Sequence, residues 1–501
     1  MNRAVDTSHS ILRSARSFLA GTALSRVSGL FRDIAMAISF GSSPEVAAFM
    51  VSYRLANLFR RLLGEGNLQA GFIPHFTALK ENGGQFYRDT TYSMGLILIF
   101  TVLALEGICL GLMPVVGSDW AQIIELSMWM IPGLFFICLY GLNSSLLQCQ
   151  KKFFLPAVAP VLFNFIWIGA VFYRPDVRFL SIAITAAFAG QWLVTVFEKR
   201  KILPLKQWLR PHFFSPEFKK LLRPLMLGIV GVSAVQFNSA LDAIFARLAD
   251  LQGPAFLWYA IRIQQLPLAL FGIALSGALL PPLSRTEDPD HRKELLSHAL
   301  KTSGALMLIC TFGIFALGSV GVNLLYGHGD FSQLAVIQTT DCLWGYGLGL
   351  IPSVFVLILA NRFYAEKNYK TPMRGSLIAV GANIAFNAFF VFGLGWGAIS
   401  IAIATSLSAV LNAVILGKGS FSIDFWRFFL KMGFACALPA ASAMAIESMW
   451  MEVLPRSVVI QTVQFCFLSA LYLGGVAFMV WRLRLTEVAE LIFRKKTTQS
   501  A

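Results

Sequence analysis

Charge is scarce in this chain, and acidic charge is scarcest: 13% of its 501 residues are charged, with 26 Asp and Glu against 41 Lys and Arg. A soluble domain carries about 25%, so a fold bathed in water over its whole surface is excluded. Ligands for metal chemistry are equally thin. The seven cysteines fall singly, as at Cys109, Cys310 and Cys466, and the six histidines form no His-x-x-x-His pair. A Gly-x-x-x-x-Gly-Lys-Ser/Thr phosphate loop is missing, which argues against direct drive by ATP. Neither a cluster of acids nor a His–Asp pair marks a membrane glycosyl- or acyltransferase, so an enzyme finds little support.

What the chain has is apolar length. Hydrophobic residues make up 56%, Phe alone numbers 44, and mean hydropathy is +0.67. A helix that crosses a bilayer needs roughly 20 mostly apolar residues, and such runs recur with short polar breaks. They predict an all-α polytopic membrane protein of about fourteen transmembrane helices. The spans fall near 17–40, 45–64, 90–113, 120–148, 154–173, 178–197, 222–248, 254–281, 297–320, 333–362, 372–394, 396–418, 425–447 and 458–482. A membrane barrel is excluded by the lack of alternating strands, and helices satisfy every backbone group inside hydrocarbon. The polar N-terminal segment carries Arg3, Arg13 and Arg16, and Arg26 and Arg32 interrupt the apolar run that follows. That is not the pattern of a cleaved signal peptide, and the segment is expected to be retained.

The connections alternate in charge. One set holds Lys151–Lys152, the basic run Lys199 to Lys220, Arg285, Arg292, Lys293, Lys367, Lys370, Arg374, Lys418 and the tail Arg494–Lys496. The other set, including Gly41–Glu45, Val115–Trp120, Asp250–Pro254, Gly327–Ser332 and Gly393–Gly397, is short and nearly uncharged. Positive loops mark the cytoplasmic side, so both termini are expected inside. Arg174, Arg178 and Arg456 run against the trend. The net charge of +15 follows mostly from this asymmetry, and nucleic acid is not expected as a partner.

The chain also repeats itself. Arg54 and Arg262 are 208 residues apart, as are Gly64 and Gly272, and Pro74 and Pro282. A second echo pairs Gln150-Lys151-Lys152-Phe153 and Pro156 with Glu366-Lys367-Asn368-Tyr369 and Pro372, 216 residues on. Each echo joins spans six helices apart. Six is even, so the halves keep one orientation, a parallel pseudo-repeat about an axis along the membrane normal. The expected domains are an N-terminal six-helix lobe over 1–200, a second over 201–420, and two further helices with a basic tail over 421–501.

A charge at the bilayer centre costs about 2.5–3.5 kcal/mol on insertion scales, which makes each one a functional candidate. The first span holds Arg26, Arg32 and Asp33; the second holds Arg54, Arg60, Arg61 and Glu65; the eighth holds Arg262. Helical register puts Arg26 and Asp33 on one face, and Arg54 and Arg61 on another. Too few acids are present to neutralise this set, and a surplus of guanidinium groups suits phosphate, whose oxygens match the planar fork. The bland readings are snorkelling of Arg60 and Arg61 to the interface and a local ion pair between Arg32 and Asp33.

The stretch Ser25-Arg26-Val27-Ser28-Gly29-Leu30-Phe31-Arg32-Asp33, then Phe40-Gly41, Leu55 to Arg61 and Glu65-Gly66, closely resembles the N-terminal signature of the MurJ (MviN) flippases. Pro156-Ala157, Pro160, Asn164 and the run from Arg262 to Pro267 add to it. The resemblance extends to residue 420 or so; the last two helices match only in number and hydrophobicity. It implies the multidrug/oligosaccharidyl-lipid/polysaccharide exporter fold in the bacterial inner membrane, a cationic cavity between two lobes, and lipid II as cargo. Carried over by motif, the substrate-site residues are Ser25, Arg26, Arg32, Arg60, Glu65 and Arg262. The two C-terminal helices would form a groove for the polyprenyl tail. The chain departs from the family at Ala47, Ala56, Ile261 and Gln265, where acids or a helix-kinking proline are common.

Three functions remain in view. A flippase of lipid II is expected first; a multidrug or other polysaccharide-lipid exporter of the same fold is the alternative, and a scaffold for cell-wall synthesis or division enzymes is a third. The arginine surplus favours a pyrophosphate over an organic cation. Asp242, with Asn383 and Asn387 on one helix face and Thr405, supplies oxygen at membrane depth. These four are candidates for a sodium site, with hydrogen bonding between packed helices as the ordinary explanation. No other cofactor is expected, and the remaining partners are membrane lipids.

Overall fold

A computed structural model describes residues 8–64, 67–79, 82–200, 212–450 and 455–485, and among them every regular element is helical. Glu65, most of the basic run after Arg200, and the tail Arg494–Lys496 lie outside the described residues. Packing divides the chain into two compact units, Met1–Ile244 and Phe245–Ala501.

The first unit contains α1 (Ser8–Phe40), α2 (Pro44–Leu63), α3 (Asn67–Ala78), α4 (Gly83–Leu112), α5 (Ser118–Met130), α6 (Gly133–Cys149), α7 (Phe154–Tyr173), α8 (Val177–Arg200) and most of α9 (Pro216–Ala249). The second contains α10 (Gly253–Pro267), a π-helical segment Leu268–Ile273, α11 (Ala274–Arg285), α12 (Pro289–Tyr326), α13 (Gln333–Gly347), α14 (Leu350–Ala365), α15 (Lys370–Ala388), α16 (Ile399–Leu416), α17 (Ile423–Trp450) and α18 (Val458–Arg482). Local sequence sets the starts. The Ser43 hydroxyl accepts from the amide of Val46 at 3.3 Å ahead of Pro44, and Ser332 caps α13 through the amide of Ala335 at 3.0 Å.

Among the described residues, ten helices are long and apolar enough to cross a membrane, or up to twelve if each of two bent pairs is one span. One bent pair joins α5 to α6 at 42°, across Ile131-Pro132, where proline and glycine interrupt the helix. α1 and α2 stand at the two other positions where the sequence predicts spans. Arg26, Arg32 and Asp33 in α1, and Arg54, Arg60 and Arg61 in α2, dilute their apolar character.

Each unit repeats the other's internal packing. In the first, α2 packs on α5, α3 on α6, and α5, α6 and α7 on α8; in the second, α10 packs on α13, α11 on α14, and α13, α14 and α15 on α16. The echo extends to the backbone. Lys151 and Lys367 both take left-handed conformations, at φ 61° and 57°. The amide of Lys152 donates to the carbonyl of Leu147 at 2.9 Å, and that of Asn368 to Phe363 at 2.8 Å, one helix-ending turn written twice. Gly64 sits where a Cβ would meet Cys138 Sγ at 3.0 Å, and Gly272 where it would meet Val354 at 3.2 Å, so each glycine allows a close crossing.

The arginines that break the charge rule are all engaged. Arg174 pairs with Asp176 at 3.3 Å and Arg178 with Glu125 at 3.0 Å. Arg456 donates to the carbonyls of Gly327 and Phe331 at 2.9 and 2.7 Å, tying the turn before α18 to the turn after α12. α17 and α18 pack against α12 around Met432, Cys436, Leu468 and Tyr472. The Tyr472 hydroxyl donates to the carbonyl of Ile309 at 2.7 Å, and Ser319 hydrogen-bonds Glu447.

Candidate functional site

α1 lies along α7, and part of the contact is built from polar side chains. Arg32 is 8% exposed. Its Nε and Nη2 donate to Asp33 Oδ1 at 3.1 and 2.8 Å, and Nη1 donates to Asn164 Oδ1 at 3.2 Å. The Asn164 amide in turn donates to Ser28 Oγ at 2.8 Å and to the carbonyl of Ser25 at 3.3 Å. The Arg32 guanidinium also lies 4.7 Å from the ring centre of Trp167, which packs edge-on to Phe49 and Tyr53 of α2. One residue thereby joins three helices. The adjacent ion pair foreseen in the sequence is present, with both members buried.

Arg26 is placed differently. Its side chain is exposed, beside Leu24, Val27 and Phe31, which are exposed too, while Ser25 is half-buried. Arg26 and Asp33 share a helix face by register, yet only the later part of that face is covered. Arg60 on α2 is half-buried, 6.0 Å from the ring centre of Phe188. With Tyr53 and Asn57 it lines a recess between α2, α4, α5, α6 and α8 that holds no more than about one water molecule. Arg61 is exposed and reaches Gln236 at 3.4 Å. Glu65 falls outside the described residues.

In the second unit Arg262 is half-buried, with its guanidinium 4.3 Å from the ring centre of Trp258 one turn earlier. Asn383 and Asn387 are buried; Asn387 Nδ2 donates to Asn383 Oδ1 at 2.9 Å, and Asn383 Nδ2 lies 3.4 Å from Thr405 Oγ1. Asp242 belongs to the first unit, buried, with Asn238 Nδ2 at 3.5 Å. No group of three or more His, Cys, Asp or Glu gathers at a metal-binding distance among the described residues.

The residues that sequence reasoning left without a role are the aromatic ones behind the cations. Trp258 carries a signal, four residues before Arg262 and so on its face of the helix. Trp167 carries none, since its partner lies on a distant helix.

Each unit carries guanidinium groups within its helices, Arg32 locked into a strut and Arg26, Arg60 and Arg262 less enclosed. Known proteins resemble the chain over most of its length. The chain is 35% identical to the probable lipid II flippase MurJ of Chlamydia trachomatis serovar D, over 76% of this chain and 73% of that one. It is 35% identical to the probable lipid II flippase MurJ of Chlamydia muridarum, over 85% and 83%. Among solved structures, an inward closed conformation of the lipid II flippase MurJ superposes with a TM-score of 0.76 at 23% identity, covering 93% of this chain and 99% of that chain. An inward-facing multidrug resistance MATE family transporter of the MOP superfamily superposes with a TM-score of 0.63 at 13% identity, over 83% and 98%. These two establish the fold. The family model for lipid II flippase MurJ matches residues 36–464, and the chain therefore belongs to the MurJ family of lipid II flippases.

Proposed function

We propose that this chain carries lipid II from the cytoplasmic to the outer leaflet of the bacterial inner membrane by alternating access, with both termini in the cytoplasm. Arg26, Arg60 and Arg262 supply positive charge to the pyrophosphate, with Ser25 and Glu65 as further candidates by motif, while Arg32, paired with Asp33, braces α1. What carries this reading is family membership over residues 36–464, joined to a surplus of arginine in spans that otherwise avoid charge. The fold is shared with MATE transporters, but an organic cation would be repelled by that surplus. Rocking follows only if cargo binds the two states with different affinity. The test is growth: the chain restores cells depleted of their own lipid II flippase, and a variant with Arg26, Arg60 and Arg262 all changed to Ala does not. Rescue by the triple variant would instead favour a scaffold for cell-wall synthesis or division enzymes.

We propose sodium as the coupling ion, supported by the side-chain oxygens of buried Asn383 and Asn387 and half-buried Thr405, with Asp242 of the first unit as a candidate carboxylate. Asp242→Asn should then weaken the sodium dependence of flipping. Equal rates with and without sodium in the unmutated protein would remove the idea.

A further inference from the structure

We propose that the last turns of α12 and α17 and the first turns of α18 hold a site for a sodium-sized monovalent cation, with Glu447 as its carboxylate. The site lies wholly in the second unit and shares no residue with the coupling-ion reading above. Glu447 is half-buried, its carboxylate hydrogen-bonds the Ser319 hydroxyl, and among the described residues it pairs with no Lys, Arg or His. A carboxylate inside a span needs a counter-charge or a proton.

Neutral oxygens gather at the same level. α12 and α17 run parallel, since a Cβ at Gly304 would stand 3.4 Å from Phe429 and Ser319 meets Glu447 further along both helices. α18 returns against them: a Cβ at Gly475 would stand 2.8 Å from Pro439, and one at Gly321 would stand 3.6 Å from Phe465. That register brings Gln464 to the level of Glu447, and Gln461 to that of Asn323, one turn beyond Ser319 on α12. A shared partner fixes the second pair, because the amides of Asn323 and Gln461 donate to the one carbonyl of Pro455 at 3.0 and 2.8 Å. Asn323 is 2% exposed and Gln461 1%, yet Asn323 Oδ1, Gln461 Oε1 and Gln464 Oε1 are all buried without a hydrogen bond. Gly327 leaves room for the first of these, since a Cβ there would collide with Asn323 Oδ1. Buried polar atoms are nearly always satisfied, and an orphan points to a bound water or ion. Amide oxygens, a hydroxyl and a carboxylate are the ligands a hard cation takes. One negative charge balances a monovalent ion, where a divalent one would leave net charge out of water. Arg456, next to Pro455, donates to the carbonyls of Gly327 and Phe331 at 2.9 and 2.7 Å.

The test is the melting temperature of the purified full-length protein in sodium chloride against N-methylglucamine chloride at equal ionic strength. Sodium at ten times its half-saturating concentration should raise it by about 2–4 °C. A rise should remain in Asp242→Asn, which removes the carboxylate of the coupling site. Glu447→Gln keeps the size of the side chain and a hydrogen bond to Ser319 while removing the charge; alone it should reduce the rise, and combined with Asp242→Asn it should abolish it. Ser319→Ala, a milder change, should increase the half-saturating sodium concentration roughly 3- to 10-fold. An equal sodium response with and without Glu447→Gln, in either background, would overturn the site and leave the coupling-ion reading standing. No sodium response in any of these proteins, the result expected of a carboxyl that is simply protonated, would overturn it too.

Discussion

At the scale of single residues, two arginines six positions apart on one helix do different work. Arg32 is buried and bound to Asp33 and Asn164, so removing Asp33 strands a charge inside the protein. Asp33→Ala should destabilise the first unit by about 3–5 kcal/mol, seen as reduced accumulation and a lower melting temperature in detergent. Arg26 is exposed and bears little of the packing. Arg26→Ala should leave accumulation and melting unchanged while flipping is lost, and Arg26→Lys should rescue poorly because a point charge does not reproduce the fork. A fall in stability with Arg26→Ala as large as with Asp33→Ala would refute the division. Part of this was legible in the sequence: Arg32 and Asp33 are neighbours, and a local pair is the obvious outcome. Asn164 lies 132 residues further on, and nothing local connects it to Arg32.

At the scale of helices, the position of α1 depends on its crossing with α7. A Cβ at Gly21 would stand 2.7 Å from Ala157 Cβ and 3.2 Å from the Phe154 carbonyl oxygen, so the two helices touch through a missing side chain. Gly21→Val should push them apart at a cost of about 1–3 kcal/mol, and flipping should fall with it, because Arg26 and the Arg32 strut ride on α1. Unchanged melting and flipping would show that the crossing has slack. Most of the spans were readable from apolar length, and the repeat from residues at fixed offsets, which the paired turns at Lys151 and Lys367 now make physical. The π-helical segment Leu268–Ile273 was not readable, because a helix apolar on nearly every side carries no periodic signal that could shift by one residue.

At the scale of the whole molecule, the sequence predicts a direction in the membrane through its alternation of basic and neutral loops. The exceptions Arg174, Arg178 and Arg456 are each bound to protein groups. A single cysteine placed at His212, beside the basic run, should resist an impermeant thiol reagent in intact cells and react once they are permeabilised. Reaction in intact cells would invert the topology. The central claim is that the chain moves lipid II across a bilayer, and it is tested most directly by transbilayer exchange of labelled lipid II in proteoliposomes. The account predicts exchange at least about tenfold faster than in protein-free vesicles, with Arg262→Ala returning it to the protein-free rate, a barrier change of about 1.4 kcal/mol or more. Exchange no faster than in protein-free vesicles, from protein that is folded and inserted, would contradict it.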